Sequence, residues 1–567
     1  MHLFSWLAVI AGAFLFFLSH PNILFQNGLF PLGFFALLPV FLAVRASSFK
    51  TVWLKGFVYG LLSYGSFCYW LSSFNPYTLY IAVGCYALIL ALVFTILKLL
   101  DRAFCTFRQG RFFAFAFFAQ ALVWCAYEYV QTIGFVGFSY GVLGYSQWKN
   151  LPLVQNASWG GVWPLSLACA LVSASAASVF FHAHSIKKEE TKKRSLSLSN
   201  GTYLKKSIFA NRLPLAFTLA SLLLMFAYGA IVLALGKGTN PSAQKSIKIL
   251  CIQNNTDSEK YGLDVYRRDI KALLSLTKEA LAQNPDAKIV VWPETAVVPP
   301  IEYHYQKLID FDRVEIINRL LEFLAGQDCA FVIGNQRTVE SGTSLDDYNS
   351  ALVFDSSLVN VIPPTPFFYH KIHLVPFAEW FPYKNLAPGL YKKLLLDNDR
   401  LWTPGSDPVV FNVRSVKFSV PICFEDTFGS LCRQFVLGGA EVFVNISNDS
   451  WSLSIPCQNQ HLAMSVFRCA ENRVSCARST ASGVTAFIDP FARVVSKTAP
   501  FEENFLACQV QIPCETQRKK TLYTLWGDWF AQALTVISCL LLILAILHTF
   551  LSHLCHPLEK EFKNEVK

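Results

Sequence analysis

A chain of 567 residues that is 53% hydrophobic and only 15% charged, with positive mean hydropathy, is too apolar for an ordinary soluble enzyme. Its net charge of +10 lies mostly in loops between apolar blocks, which argues for membrane topology and against a nucleic-acid partner.

A span needs about 20 mostly apolar residues to cross the hydrocarbon core. The blocks predict eight spans: 3–20, 29–46, 53–74, 77–99, 112–131, 159–183, 213–236 and 527–550. The first lacks a basic start and a small-residue cleavage site, so it reads as a retained helix. Lys and Arg fall in alternate loops, with Arg45, Lys50 and Lys55, then Lys98, Arg102, Arg108 and Arg111, then Lys187 through Arg212. Positive charge marks the cytoplasmic side, so both termini are expected inside and residues 240–520 outside. Three parts follow: a membrane domain at 1–240 with seven spans, an extracytoplasmic domain at 241–520, and an eighth span with its tail at 521–567. Glu128 in the fifth span is the candidate intramembrane polar group, and its Phe-rich surroundings either line a lipid-accessible groove or face lipid.

From Ser246 the pattern changes to short β-like runs alternating with amphipathic stretches. "SIKILCIQNN", "AKIVVWPET", "CAFVIGNQ", "SALVFDSS", "FSVPICFE", "AEVFVNISND" and "GVTAFIDP" read as strands. "DVYRRDIKALLSLTKEALAQ", "VEIINRLLEFLAGQ" with Gly326 as its stop, and "QNQHLAMSVFRCAENR" read as helices. The alternation predicts a layered α/β domain with its own core. Nine cysteines belong to it: Cys251, Cys329, Cys423, Cys432, Cys457, Cys469, Cys476, Cys508 and Cys514. An oxidising compartment would permit disulfides among them. No Cys/His grouping has metal spacing, which argues against zinc.

Three polar residues end strand-like runs. Glu294 follows Trp-Pro, Lys371 sits among aromatics in "YHKIHLVPFAEWFP", and Cys423 closes "SVPIC". Each has an ordinary explanation alone: a turn or cap acid, a surface charge, a core thiol. Together their chemistries complement one another. A thiol is a weak nucleophile until deprotonated, a carboxylate in a dry pocket can take its proton, and an ammonium can hold the oxyanion formed when a carbonyl is attacked. Cys, Glu and Lys suffice for acyl transfer through a thioester.

"WPET", "YHKIHLVPFAEWFP", "PICFED" and "VNISNDSW…QHLAMSVFRCAENR" resemble the successive motifs of the nitrilase superfamily. With eight predicted spans around them, and with "GYSQW…LPLVQNASWGGVWPLS" upstream, the whole chain is similar to that superfamily's membrane-embedded branch, the bacterial apolipoprotein N-acyltransferases. The resemblance implies a multi-span α-helical membrane domain joined to an αββα sandwich. It implies Glu294 as general base, Lys371 as oxyanion stabiliser and Cys423 as nucleophile. Glu379 would orient the lysine or help shape the tetrahedral intermediate, and Glu425 would lie beside the nucleophile on the cleft wall, each with a structural salt bridge as its ordinary explanation. The Phe424 amide would share the oxyanion with Lys371. No cofactor or metal is implied. The implied partners are a phospholipid donor, typically phosphatidylethanolamine, a diacylated apolipoprotein acceptor, and the bilayer of the bacterial inner membrane. The outward cluster Arg518-Lys519-Lys520 runs against the charge trend and is expected to meet phospholipid headgroups. Two other classes compete: a membrane-tethered amidase acting on a small amide, and a transporter or scaffold with a dead external domain.

Overall fold

The computed structural model describes residues 2–74, 76–106, 113–134, 136–192, 200–236, 244–257, 262–342, 344–381, 386, 388–389, 401–513 and 519–565. Arg108, Arg111, Cys514 and Arg518, all named above, lie outside them, as do Lys193 and Arg194 of the basic run 187–212. The chain divides into two compact units. One holds Met1–Ile133, Tyr140–Ile231 and Asp528–Lys567, and the other holds Gly134–Ser139 and Val232–Gly527.

The first unit is helical. Its principal helices are α1 (His2–Ser19), α2 (Leu38–Ala46), α3 (Val52–Phe67), α4 (Pro76–Thr106), α5 (Phe113–Val130), α6 (Trp163–Lys192), α7 (Arg212–Gly236, which runs into the second unit) and one late in the chain at Trp529–Glu565. Four helices among the described residues are long and apolar enough to cross a membrane: Tyr77–Cys105, Trp163–Lys188, Arg212–Gly236 and Trp529–Leu551. Leu3–Ser19, Phe30–Ala46 and Ala114–Val130 are apolar but shorter. Eight long spans were expected, and local chemistry accounts for part of the difference. Pro31 and Pro39 each stand in the first turn of a short helix, dividing the second predicted span. The third predicted span stops at Phe67 after 16 residues and resumes only as Leu71–Phe74. The apolar window of α7 is only 6% buried, so almost its entire greasy surface needs a lipid solvent. Helices α3 and α4 approach so closely that a Cβ on Gly60 would lie 2.6 Å from the Ala87 Cα. Glu128 on α5 is buried and accepts from Trp124 Nε1 (2.9 Å), Leu143 N (3.1 Å) and Ser166 Oγ (2.5 Å).

The second unit is built on two six-stranded sheets. The first contains β1 (Gln244–Gln253), β2 (Ile289–Val291), β3 (Ala330–Ser341), β4 (Ser344–Phe354), β5 (Phe367–His370) and β12 (Asn504–Pro513), in the order β12-β1-β2-β3-β4-β5. The second contains β6 (Phe411–Val413), β7 (Val416–Ser419), β8 (Val442–Ser447), β9 (Ser475–Thr480), β10 (Ala486–Ile488) and β11 (Val494–Lys497), in the order β11-β10-β9-β8-β7-β6. In both sheets the central pairs are parallel and the outer pairs antiparallel. Ser479 on β9 donates to the carbonyls of Ile252 and Val291, tying the sheets face to face.

Helices α8 (Leu263–Gln283) and α9 (Phe311–Ala325) cover the first sheet, packing Leu273, Ile317 and Leu320 into a core with Val290, Trp292 and Phe331. The amphipathic spacing of both sequences dictates this one-sided burial. In the same unit, α10 (Gly429–Leu437) and α11 (Ile455–Asn472) belong with the second sheet. Two helix-flanked sheets face to face make the expected αββα sandwich. Gly326 caps α9, as its sequence predicts. The strand expected across 418–425 is shorter: β7 ends at Ser419, and Cys423–Thr427 forms a 3₁₀ turn.

Candidate active site

Each candidate residue stands just beyond a strand. Glu294 follows β2 by three residues, in a turn where Thr295 takes a φ of +48°. The β3 backbone presses against that turn, and a Cβ on Gly334 would meet the Pro293 carbonyl oxygen at 2.2 Å. Only glycine fits there. Lys371 comes directly after β5, with its amide bonded to the Asn349 carbonyl on β4. Cys423 opens the 3₁₀ turn after β7 with a φ of +50°, a left-handed conformation that costs a non-glycine residue about 1–2 kcal/mol. Such strain persists only where the surroundings fix it.

The fold brings Glu294 and Lys371 into contact. Lys371 Nζ is 3.1 Å from Glu294 Oε1 and 2.8 Å from Glu379 Oε1, with the lysine side chain fully shielded from solvent. Glu294 also accepts from Asn349 Nδ2 (2.8 Å) and, at Oε2, from the Asn448 amide (2.9 Å). Glu379 is held by the Val375 amide at 2.7 Å and by Asn349 Nδ2 at 3.3 Å. Burial alone would strip the Lys371 proton, but the carboxylates of Glu294 and Glu379 outweigh it and hold the ammonium well above its usual value. Burial pushes the Cys423 thiol well up, the Glu294 carboxylate pushes it further, and the Lys371 ammonium pulls it back. The resting sulfur is therefore protonated, and its proton has a carboxylate within electrostatic reach.

Glu425, expected on the cleft wall beside Cys423, is completely buried, and its oxygens accept from Tyr369 Oη (2.8 Å) and from the amides of Ile372 (2.6 Å), His373 (3.1 Å) and Ile422 (2.8 Å). It thus ties the segment after Lys371 to the turn that carries Cys423. Burial raises its carboxyl to about 7 against these bonds. Phe424 is buried beside Cys423, its ring edge-on to Phe428 at 5.0 Å.

Sequence reasoning missed the polar groups that hold these residues in place. Asn349 is shared between the two glutamates, and Asn448 donates its amide to Glu294. Under Cys423 lie Asp426, Asp449, His461 and Arg478, all buried. On α11, the polar Gln458, Gln460, His461 and Arg468 are buried along with its apolar side. Eight of the nine cysteines assigned to this region are described, and all eight are free thiols. Among the described residues no His, Cys, Asp or Glu group is arranged to hold a metal ion.

Two family models match the chain. Residues 11–175 match the apolipoprotein N-acyltransferase N-terminal domain, and residues 253–519 match the carbon–nitrogen hydrolase domain. Among curated relatives, apolipoprotein N-acyltransferase 1 of Treponema pallidum is 40% identical, over 95% of this chain and 95% of its own length. Apolipoprotein N-acyltransferase 1 of Treponema denticola is 35% identical over 96% of this chain and 97% of its own. The apolipoprotein N-acyltransferase of Geobacter metallireducens is 27% identical, over 96% of each. Nearly end-to-end likeness of this kind, spanning helical unit and sandwich together, places the chain in the apolipoprotein N-acyltransferase family, acyltransferases that carry a carbon–nitrogen hydrolase domain.

Proposed function

We propose that the protein moves a fatty acyl chain from a phospholipid, with phosphatidylethanolamine as donor, to the α-amine of a diacylglyceryl-modified N-terminal cysteine of apolipoproteins. The observation that carries this reading is one buried ammonium bridging two carboxylates, with a strained thiol inside the field of that pair.

In the first half, Glu294 takes the Cys423 proton and the sulfur attacks the donor's ester carbonyl. Lys371 Nζ and the Phe424 amide hold the oxyanion, with Glu379 fixing the lysine. The tetrahedral adduct collapses to a thioester, and the lysophospholipid oxygen leaves with the proton from Glu294. In the second half, the acceptor amine attacks the thioester and passes a proton to Glu294. The amide forms, and Cys423 leaves as thiolate and regains that proton. Both substrates are anchored by acyl chains, and each CH₂ kept in lipid is worth about 0.8 kcal/mol. A membrane-borne enzyme meets them by lateral diffusion rather than extraction.

The same reading takes all eight apolar blocks as spans of the bacterial inner membrane. The termini lie in the cytoplasm, residues 241–520 form the periplasmic catalytic domain, and residues 521–567 form the last span and tail. Alternate loop charge supports this orientation. The exposed Lys519 and Lys520 meet headgroups.

The test is mass spectrometry of the purified protein after incubation with phospholipid. A gain of one fatty acyl group is expected, mapped to Cys423, released by hydroxylamine and absent from Cys423→Ala. Hydrolysis of small amides with no acyl mark on Cys423 would move the assignment to an amidase.

A further inference from the structure

Behind Cys423, and outside the mechanism above, is a closed set of four ionisable side chains. His461 Nε2 lies 2.7 Å from Asp426 Oδ1 and 3.3 Å from the Cys423 carbonyl oxygen, and its Nδ1 lies 2.9 Å from Asp449 Oδ1. Arg478 donates to Asp426 through Nη1 and to Asp449 Oδ2 through Nη2 at 3.0 Å. Ser465 donates to Asp426, and Asn445 Oδ1 accepts from Arg478 Nη1 at 2.8 Å. Ser447 bridges the set to the sulfur: its hydroxyl lies 3.1 Å from Asp449 Oδ1 and bonds the Cys423 side chain.

Each ring nitrogen faces its own carboxylate, so a neutral ring would set a lone pair against an anionic oxygen on one side. Arg478 Nη2 lies 3.0 Å from both Asp449 Oδ2 and His461 Nδ1, and beside a doubly protonated ring it gives its hydrogen bond to the carboxylate. With the ring doubly protonated, two cations balance two anions. All four groups are at least nine-tenths buried, where an unbalanced charge is expensive. Asp449 is the acid of this set whose charge raises the Cys423 thiol.

We infer that His461 is a positioning residue: as an imidazolium it cancels the acid charge behind Cys423 and clamps that residue's carbonyl, so that the sulfur can ionise in its left-handed turn. The two roles act on one step. Without the cation the set carries a net negative charge beside the sulfur, and the thiolate is disfavoured. Without the N–H the strained turn loses a restraint on its carbonyl. Asp449 in turn is no rival base, because the neighbouring imidazolium and guanidinium hold its carboxyl below the usual range against the effect of burial. The groups facing His461 are Cys423 and Asp426 on the turn, Asp449 after β8, and Arg478 on β9. Burial works against the His461 proton, but the two aspartates prevail and raise it to about 9.

This inference rests on Cys423 as the nucleophile, and its test separates the two. The full chain in detergent is treated with iodoacetamide from pH 6 to 10.5, and alkylation of the Cys423 peptide is followed by mass spectrometry. His461→Gln keeps a side-chain donor but not the charge. Below pH 9 its alkylation rate is expected to be about tenfold lower than wild type at fixed pH, the loss of thiolate that one pH unit in the thiol's ionisation gives. The turnover number should fall by a similar factor, with the phospholipid KM within twofold. Ser465→Ala removes a hydrogen bond from the same set without removing charge and should keep the wild-type rate. An unchanged rate in His461→Gln, or an equal loss in Ser465→Ala, overturns the inference. If His461→Gln loses its cooperative melt, the wild-type curve decides. Loss of the His461 proton near pH 9 should flatten the rise of the wild-type rate there, and a straight rise of about tenfold per pH unit through pH 9 refutes the coupling. Wild-type protein that never becomes acylated would instead fail the nucleophile assignment, whatever the alkylation curves show.

Discussion

Glu128 in the helical unit and Glu294 in the sandwich are both buried, and they are satisfied in opposite ways. Glu128 in the helical unit meets only neutral donors: an indole, a hydroxyl and a backbone amide. Glu294 in the sandwich shares an ammonium with a second carboxylate and takes its remaining bonds from Asn349 and the Asn448 amide. Neutral donors saturate an acid and make it a tie between elements. A shared cation instead leaves the acid sharing its counter-charge with a neighbour. The contrast separates architecture from chemistry, which burial alone does not.

Substitutions can break that contrast or sharpen it. The largest effect is expected at Glu294→Gln. The amide takes no proton, so acylation should slow by about 10²–10⁴-fold. Because its NH₂ must face donors that the second carboxylate oxygen satisfied, about 1–3 kcal/mol of stability should go with it. Single-turnover assays beside thermal melts check it. Lys371→Met should cost about 10²–10³-fold in turnover and also about 3–5 kcal/mol of stability, because two buried carboxylates lose their counter-charge. A denaturant titration of this variant that overlays the wild type would contradict the shared-cation picture.

The pH behaviour of Glu425 gives a smaller, signed effect. Its folded-state carboxyl sits near 7 against an ordinary 4.5, so the fold favours the protonated form. The stability it contributes is present in full below about 4.5 and fades as pH rises through 7. Glu425→Gln mimics the protonated form. Its melting temperature relative to wild type should therefore climb between pH 4.5 and 8. A constant offset between the two melting curves would rule out that titration. Glu128→Gln should do least, changing stability by about 1 kcal/mol or less and leaving turnover alone, since the amide oxygen keeps part of the same donor set. Equal activity losses at Glu128 and Glu294 would erase the distinction between them.

Much of the site could be read in the sequence because its residues stand out against their surroundings. An acid after "IVVWP", a lysine among aromatics and a cysteine after "SVPI" each interrupt an apolar run. Strands β1, β3 and β8 were legible for the same reason, as apolar runs long enough to bury. Strand β9 was not. Its sequence "SCARST" is mostly polar yet wholly buried, because its side chains are spent on inter-sheet bonds and on the charge set around Arg478. That set is invisible in one dimension: Asp426, Asp449, His461 and Arg478 acquire meaning only when four separate elements close on one another. The helical unit hides less, but prolines and short helices blur where one apolar block ends and the next begins.

The pairing of β1 with β12 has a consequence for biosynthesis. Gln244 lies opposite Pro513, so the first strand of the sandwich finds one of its neighbours only when the last has been made. At ordinary ribosomal speeds of about 5–20 residues per second, that interval is tens of seconds. Until then one side of β1 is an open row of amides and carbonyls, a ready seam for pairing with another nascent chain. Chains truncated shortly before residue 504 would carry Glu294, Lys371 and Cys423 and still lack the strand that zips the sheet shut.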